Sequence, residues 1–193
     1  MLIPMIDQGV ERLLRAELPL AETVGDISFD APSGNWSAQL SRITINLYLF
    51  AVGRSTQPVR HAVDRIGANG RPERRRPLPM VELGYLVSVY AGTTRDEHQL
   101  LGDVLTIFET NAVLSPTLLP DSFESGVQLQ LALHDHSRIK DVWNGVGGHL
   151  RPSFELVVTT ALDGLPFEEL APRAERIEAI MNRLPAHPMV ESR

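Results

Sequence analysis

His134-Asp135-His136 is the most metal-like cluster in this sequence. Imidazole and carboxylate are good ligands for zinc or iron. Consecutive residues at the end of a strand point to different sides, however. His61, His98, His149 and His187 add no spacing that completes a site. A polar turn between a strand and a helix, with Asp135 near the helix start, accounts for the cluster. Just beyond it, Ser137-Arg138-Ile139-Lys140 matches the Ser-x-x-Lys signature of penicillin-recognising serine hydrolases. No Lys-Thr-Gly follows, and Ser137 already serves as a helix cap. Gly145-x-Gly147-Gly148 comes after a helix, whereas a phosphate-cradling loop follows a strand and opens a helix. Two readings stand at this point. One is a hydrolase using His134, Asp135 and His136 with a metal, or Ser137 and Lys140. The other is a chain without catalytic residues, cofactor or metal.

Charge is unevenly spread. The 193 residues carry 18 Lys and Arg against 24 Asp and Glu, a net charge of −6. Residues 54–76 hold Arg54, Arg60, Arg65, Arg71, Arg74, Arg75 and Arg76 against Asp64 and Glu73, which is +5 and leaves −11 for the rest. An acidic body with one basic loop coats a nucleic-acid backbone poorly, and the loop lacks interleaved aromatics. It suits a specific acidic protein surface better. A nucleic-acid adaptor working through the loop is kept as a third reading. The absence of cysteine excludes a disulfide framework, a thiolate nucleophile, a zinc ribbon and an iron–sulfur site. Residues 45–52, among the most apolar stretches, fall far short of a membrane span. Asp7 and Glu11 interrupt any export signal, so no membrane partner is expected and the cytoplasm is the expected compartment.

The elements around these residues follow from periodicity. Ile6, Val10, Leu13 and Leu14 share one face of a helix over residues 6–18. Residues 27–31 read as a short strand. In residues 43–52 the alternation predicts a strand that becomes buried on both faces toward its end. Residues 54–79 read as a long loop, an insertion of the kind that is functional or disordered. Residues 80–90 form the next strand. Thr94 and Glu97 make a capping box ahead of a helix carrying Leu101, Val104, Leu105, Phe108 and Ala112. Residues 127–133 alternate as a strand with one wet face. A short helix with Ile139, Val142, Trp143 and Val146 on one stripe ends at the glycines. Residues 154–162 form the last strand, and a final helix carries Leu170, Ala174, Ile177, Met181 and Leu184. The pattern predicts one α/β (α+β) domain over residues 1–193. Its sheet is mixed, mostly antiparallel, of four to five strands with helices packed against it.

Several segments in this order resemble a known family. They are the N-terminal amphipathic helix, Ile45-Asn46-Leu47-Tyr48-Leu49-Phe50-Ala51-Val52, and the strand from Met80-Val81-Glu82-Leu83-Gly84-Tyr85 to Tyr90-Ala91-Gly92. The helix with Glu97-His98-Gln99-Leu100-Leu101-Gly102 follows, then Val142-Trp143-Asn144 and Leu150-Arg151-Pro152-Ser153-Phe154. The order is similar to the cap, or tail-terminator, proteins of contractile injection systems, phage-tail-like particles such as the antifeeding prophage and Photorhabdus virulence cassettes. The resemblance covers about residues 6–162. It implies a tail-terminator-like fold, no catalytic residues, and a hexameric ring at the baseplate-distal end of the particle. Such a ring stops polymerisation and ties the last sheath ring to the last inner-tube ring, so the implied partners are sheath, tube and further copies of the chain.

A ring needs two different surfaces on each subunit. Arg71, Arg74, Arg75 and Arg76 are expected to meet an acidic surface of tube, sheath or a neighbouring cap subunit. The loop is expected to be mobile in the isolated protein, because nothing apolar between Arg71 and Pro77 ties it down. Trp143 is a candidate contact anchor, set against a core position beside Ile139 and Val146.

Overall fold

The computed structural model describes residues 2–21, 23–120, 126–132, 136–162 and 166–170. Helix α1 (Leu2–Glu17) opens the chain and buries Ile6, Gly9, Val10, Leu13 and Leu14. It starts earlier than the apolar period predicts. Pro4 sits in its first turn, where a missing N–H leaves no hydrogen bond unmade. Six strands then build one sheet: β1 (Gly25–Ser28), β2 (Ile43–Arg54), β5 (Met80–Tyr90), β6 (Val113–Leu114), β7 (Val127–Leu131) and β8 (Ser153–Ala161). Their spatial order is β1-β2-β5-β8-β7-β6. β1 runs parallel to β2, and every other pairing is antiparallel. The class is the one expected, with the sheet somewhat wider. A second sheet holds β3 (Val63–Ile66), β4 (Pro72–Arg75) and β9 (Glu168–Glu169).

The sheet packs on both faces. One face contributes Ile45, Leu47, Leu83, Tyr85, Val87, Val89, Val127, Leu129, Leu156 and Val158 to a core closed by α1 and by α3 (Thr94–Thr110). From α3 come Val104, Ile107 and Phe108, and the one-turn α2 (Gly34–Ser37) lies between β1 and β2 in the chain. The other face carries a polar row that crosses three strands in register, Asn46 opposite Ser88 and Ser88 opposite Ser153. Asn46 is fully buried there, its amide donating to the carbonyls of Ser28 and Asp30 at 3.4 and 3.0 Å. Those bonds make burial of the amide tolerable. β2 is thus most buried near its start, and its last residues, Val52, Gly53 and Arg54, are exposed. This corrects the expectation of burial toward its end.

Two helix ends show how local chemistry sets boundaries. The N-cap of α3 is Thr93, one residue earlier than predicted; its hydroxyl accepts from the Asp96 N–H at 3.2 Å and donates to the Asp96 carboxylate at 2.7 Å. Glu97 reaches back instead to the Ala91 N–H at 3.2 Å. Helix α4 (His136–Gly145) ends as the glycines predict. The Gly148 N–H bonds the Trp143 carbonyl and the Gly147 N–H that of Asn144, the paired closure of a Schellman motif. Gly147 has φ 66°, which needs glycine.

Under α1 the Tyr85 hydroxyl donates to Asp7 at 2.7 Å. Burial raises the Asp7 pKa, and the hydrogen bond opposes that rise only in part. A carboxyl whose folded pKa lies above its unfolded value loses stability as pH climbs through that window. Asp7→Asn is therefore expected to raise the melting midpoint slightly at pH 7 and to flatten its pH dependence just above pH 4. Tyr85→Phe strands the carboxylate and is expected to cost about 1–3 kcal/mol. Thermal melts at pH 4 and pH 7 check both.

Candidate assembly surfaces

The Arg-rich stretch is a hairpin. β3 and β4 pair antiparallel, from Val63 opposite Arg75 to Ile66 opposite Pro72, and β9 adds beside β4. The expectation of a structureless loop is corrected here. Its ties are charges and one ring. Arg74 grips Asp64 with two N–H groups at 2.7 and 2.9 Å, and its hydrogen bonds hold the Asp64 carboxyl below the usual carboxylate range. Arg65 donates to Glu73 at 2.8 Å, and Arg76 pairs with Glu168 at 3.0 Å. Arg71 pairs with Glu169. Phe167 lies beneath two guanidinium groups, with Arg65 3.6 Å and Arg75 5.0 Å from its ring centroid. Between Arg71 and Pro77 the chain has nothing apolar to fix it. The fixing groups, Phe167, Glu168 and Glu169, come from far along the chain. Reading the Arg cluster by itself missed them; the compact Phe-Glu-Glu run was the available signal.

Trp143 lies in the core, with 1% of its surface exposed and its indole N–H on the Ser153 hydroxyl at 3.0 Å. In this chain its ring is closed off by Gly148, so it offers no side chain to a partner. Of the five residues singled out from sequence, the four arginines therefore gather on one arm and Trp143 stands apart.

A crevice of about 480 Å³ opens between Pro32, Leu40, Tyr90 and Arg151. Sequence reasoning passed over it. Arg151 donates to the Val89 carbonyl at 3.0 Å and to Glu97 at 3.2 Å, and stacks 3.9 Å over the Tyr90 ring. Trp36 meets Tyr90 edge-on at 5.3 Å. Burial pushes the Tyr90 phenol up. The arrangement locks the start of β8 to the start of α3; Ser37, Ser41 and His149 also line the crevice, and the Ser37 hydroxyl donates to the Gly34 carbonyl at 3.1 Å.

A second, shallower groove of about 690 Å³ lies at the far end of β2 and β5. Val52, Gly53, Arg54, Val59, Pro77, Pro79 and Val81 line it.

The hydrolase reading finds no support in this geometry. His134 and Asp135 lie outside the described residues, and Ser137 and Lys140 are exposed on α4. Among the described residues no group of three or more His, Asp or Glu is placed to hold a metal ion. The predicted final helix beyond Leu170 also lies outside the described residues. No described helix is long and apolar enough to cross a membrane.

Residues 5–174 match the model of the Pvc16 N-terminal domain. The chain belongs to that family. Among solved structures, the Pvc16-type fold seen here is similar to the PVC sheath/tube terminator of an extracellular contractile injection system in its extended state. The TM-score is 0.69 at 16% identity, over 97% of this chain and 66% of that one. It is similar also to the anti-feeding prophage cap, described as a tube-terminating cap. There the TM-score is 0.63 at 17% identity, over 91% of this chain and 60% of that one. The chain thus spans about two thirds of the length of the solved chains it matches. No curated protein matches it in sequence.

Proposed function

We propose that this Pvc16-family chain is a structural, non-enzymatic cap at the baseplate-distal end of a contractile injection particle. There it ends polymerisation of sheath and inner tube as a hexameric ring. The observation that carries this reading is the match of nearly the whole chain to the fold of a sheath/tube terminator. Two features support it. The face-packed sheet and the Arg151–Glu97–Tyr90 lock make a rigid body, as a ring subunit under load requires. The arginine hairpin projects a partner-facing arm, an insertion in a single 1–193 unit. Its Arg71, Arg74 and Arg76 side chains stay more than half exposed even while paired. With Arg75 they form the acidic-partner contact, since an exposed ion pair exchanges partners at little cost. The cap assembles in the cytoplasm with its sheath and tube partners and binds neither membrane nor nucleic acid.

Deleting the gene from a producing strain should yield particles of broad length, with ends that fray on storage. Complementation should restore a narrow length distribution in electron micrographs. Narrow lengths without the protein would refute the capping role.

A further inference from the structure

A ring of identical subunits needs two unlike surfaces that fit each other. The sheet offers them at its opposite edges. At one edge, β1 covers only residues 43–46 of β2, so among the described residues 47–54 have a neighbouring strand on one side only. The apolar groove opens here. Val52 is 62% and Val59 41% exposed, and Arg54 between them has no ion-pair partner among the described residues. At the other edge, β6 pairs only with β7 among the described residues. Leu105 and Glu109 stand one turn apart on the solvent face of α3, and Val113 follows on β6. Leu105 is 38% and Val113 59% exposed. Glu109 has no ion-pair partner among the described residues. One edge therefore presents apolar, cationic, apolar; the other presents apolar, anionic, apolar.

We propose that a second copy of this chain docks its Leu105–Glu109–Val113 edge into the Val52–Arg54–Val59 groove, head to tail, and that repetition of this contact closes the ring. The proposal rests on the ring reading above and names its interface. The order of groups is complementary in charge, and the exposed valines and leucine leave water together. Since the two surfaces are different and lie at opposite edges, the contact propagates in one rotational sense instead of stopping at a dimer.

The chain has no cysteine, so Val52→Cys with Val113→Cys introduces a single reactive pair. Both positions are exposed, so wild-type melting is the check on folding. Particles assembled with the double variant and oxidised should release covalent cap multimers on denaturing gels, whereas either single variant should stay monomeric. Arg54→Glu or Glu109→Arg alone should lower incorporation into particles about tenfold, and the two together should restore it. Monomers from the double-cysteine variant in capped particles would overturn the proposal. So would dimers from a single cysteine, which mark a two-fold contact, or a charge swap that fails to restore assembly. Particles lacking the protein altogether would defeat the capping reading as well, and are distinguishable from capped particles without crosslinks.

Discussion

Trp143→Ala is expected to leave a protein that melts about 6–20 °C lower, from a loss of about 3–5 kcal/mol. The ring is among the largest fully buried side chains in the molecule. It fills the space between α4 and the polar face of the sheet, and its N–H satisfies the Ser153 hydroxyl. Truncation removes the apolar burial, leaves a cavity and breaks that bond. Since domains of this kind hold only ~5–15 kcal/mol in total, much of the margin disappears. Trp143→Phe keeps most of the packing and should lose about 1–2 kcal/mol. Calorimetry separates the two, and an alanine variant melting within about 2 °C of wild type would contradict a core role.

Three neighbouring glycines give the second large effect, with opposite signs. A methyl group on Gly148 would stand 2.9 Å from Trp143 Cε3 and press on the Pro32 carbonyl oxygen. The carbonyl is backbone and cannot swing aside, so Gly148→Ala should cost about 3 kcal/mol, at the upper end for overpacking. Gly147→Ala must hold φ 66° with a side chain and should cost about 1 kcal/mol. Gly145 ends α4 with open space around it, so Gly145→Ala should stabilise by up to about 1 kcal/mol. Denaturant midpoints ranked 145, wild type, 147, 148 from most to least stable are the expected result. A Gly148 variant as stable as wild type would show that the turn after α4 does not pack tightly on the Pro32 carbonyl.

What the sequence revealed depended on which forces leave a period. β5 was legible to the residue, from Met80 to Tyr90, because its inward positions are apolar and Gly92 follows. β7 was legible because Val127 and Leu129 face in while Gln128 and Gln130 face out. The hairpin of β3 and β4 was not. Its alternation is one of charges, Asp64 against Arg74 and Arg65 against Glu73, and a search for apolar periods passes over it. Its third strand and its aromatic floor come from residues 167–169, a pairing that local reading cannot supply. Asn46 misled in another way. A polar residue in an apolar strand reads as facing water, yet two backbone carbonyls from the Ser28–Asp30 segment accept from its amide nitrogen inside. The site was least legible of all. An assembly surface carries no catalytic signature, and the motif-like residues 136–148 form only a helix and its glycine cap. It was the order of whole segments that pointed to the family.

Where the protein sits on the particle is the most direct question. A small peptide tag on this chain, labelled with gold-conjugated antibody and viewed on intact particles by electron microscopy, answers it. Capping predicts label at one end of each particle, opposite the baseplate, and none along the shaft. Label along the sheath, at the baseplate, or on no particle at all would contradict a terminator role.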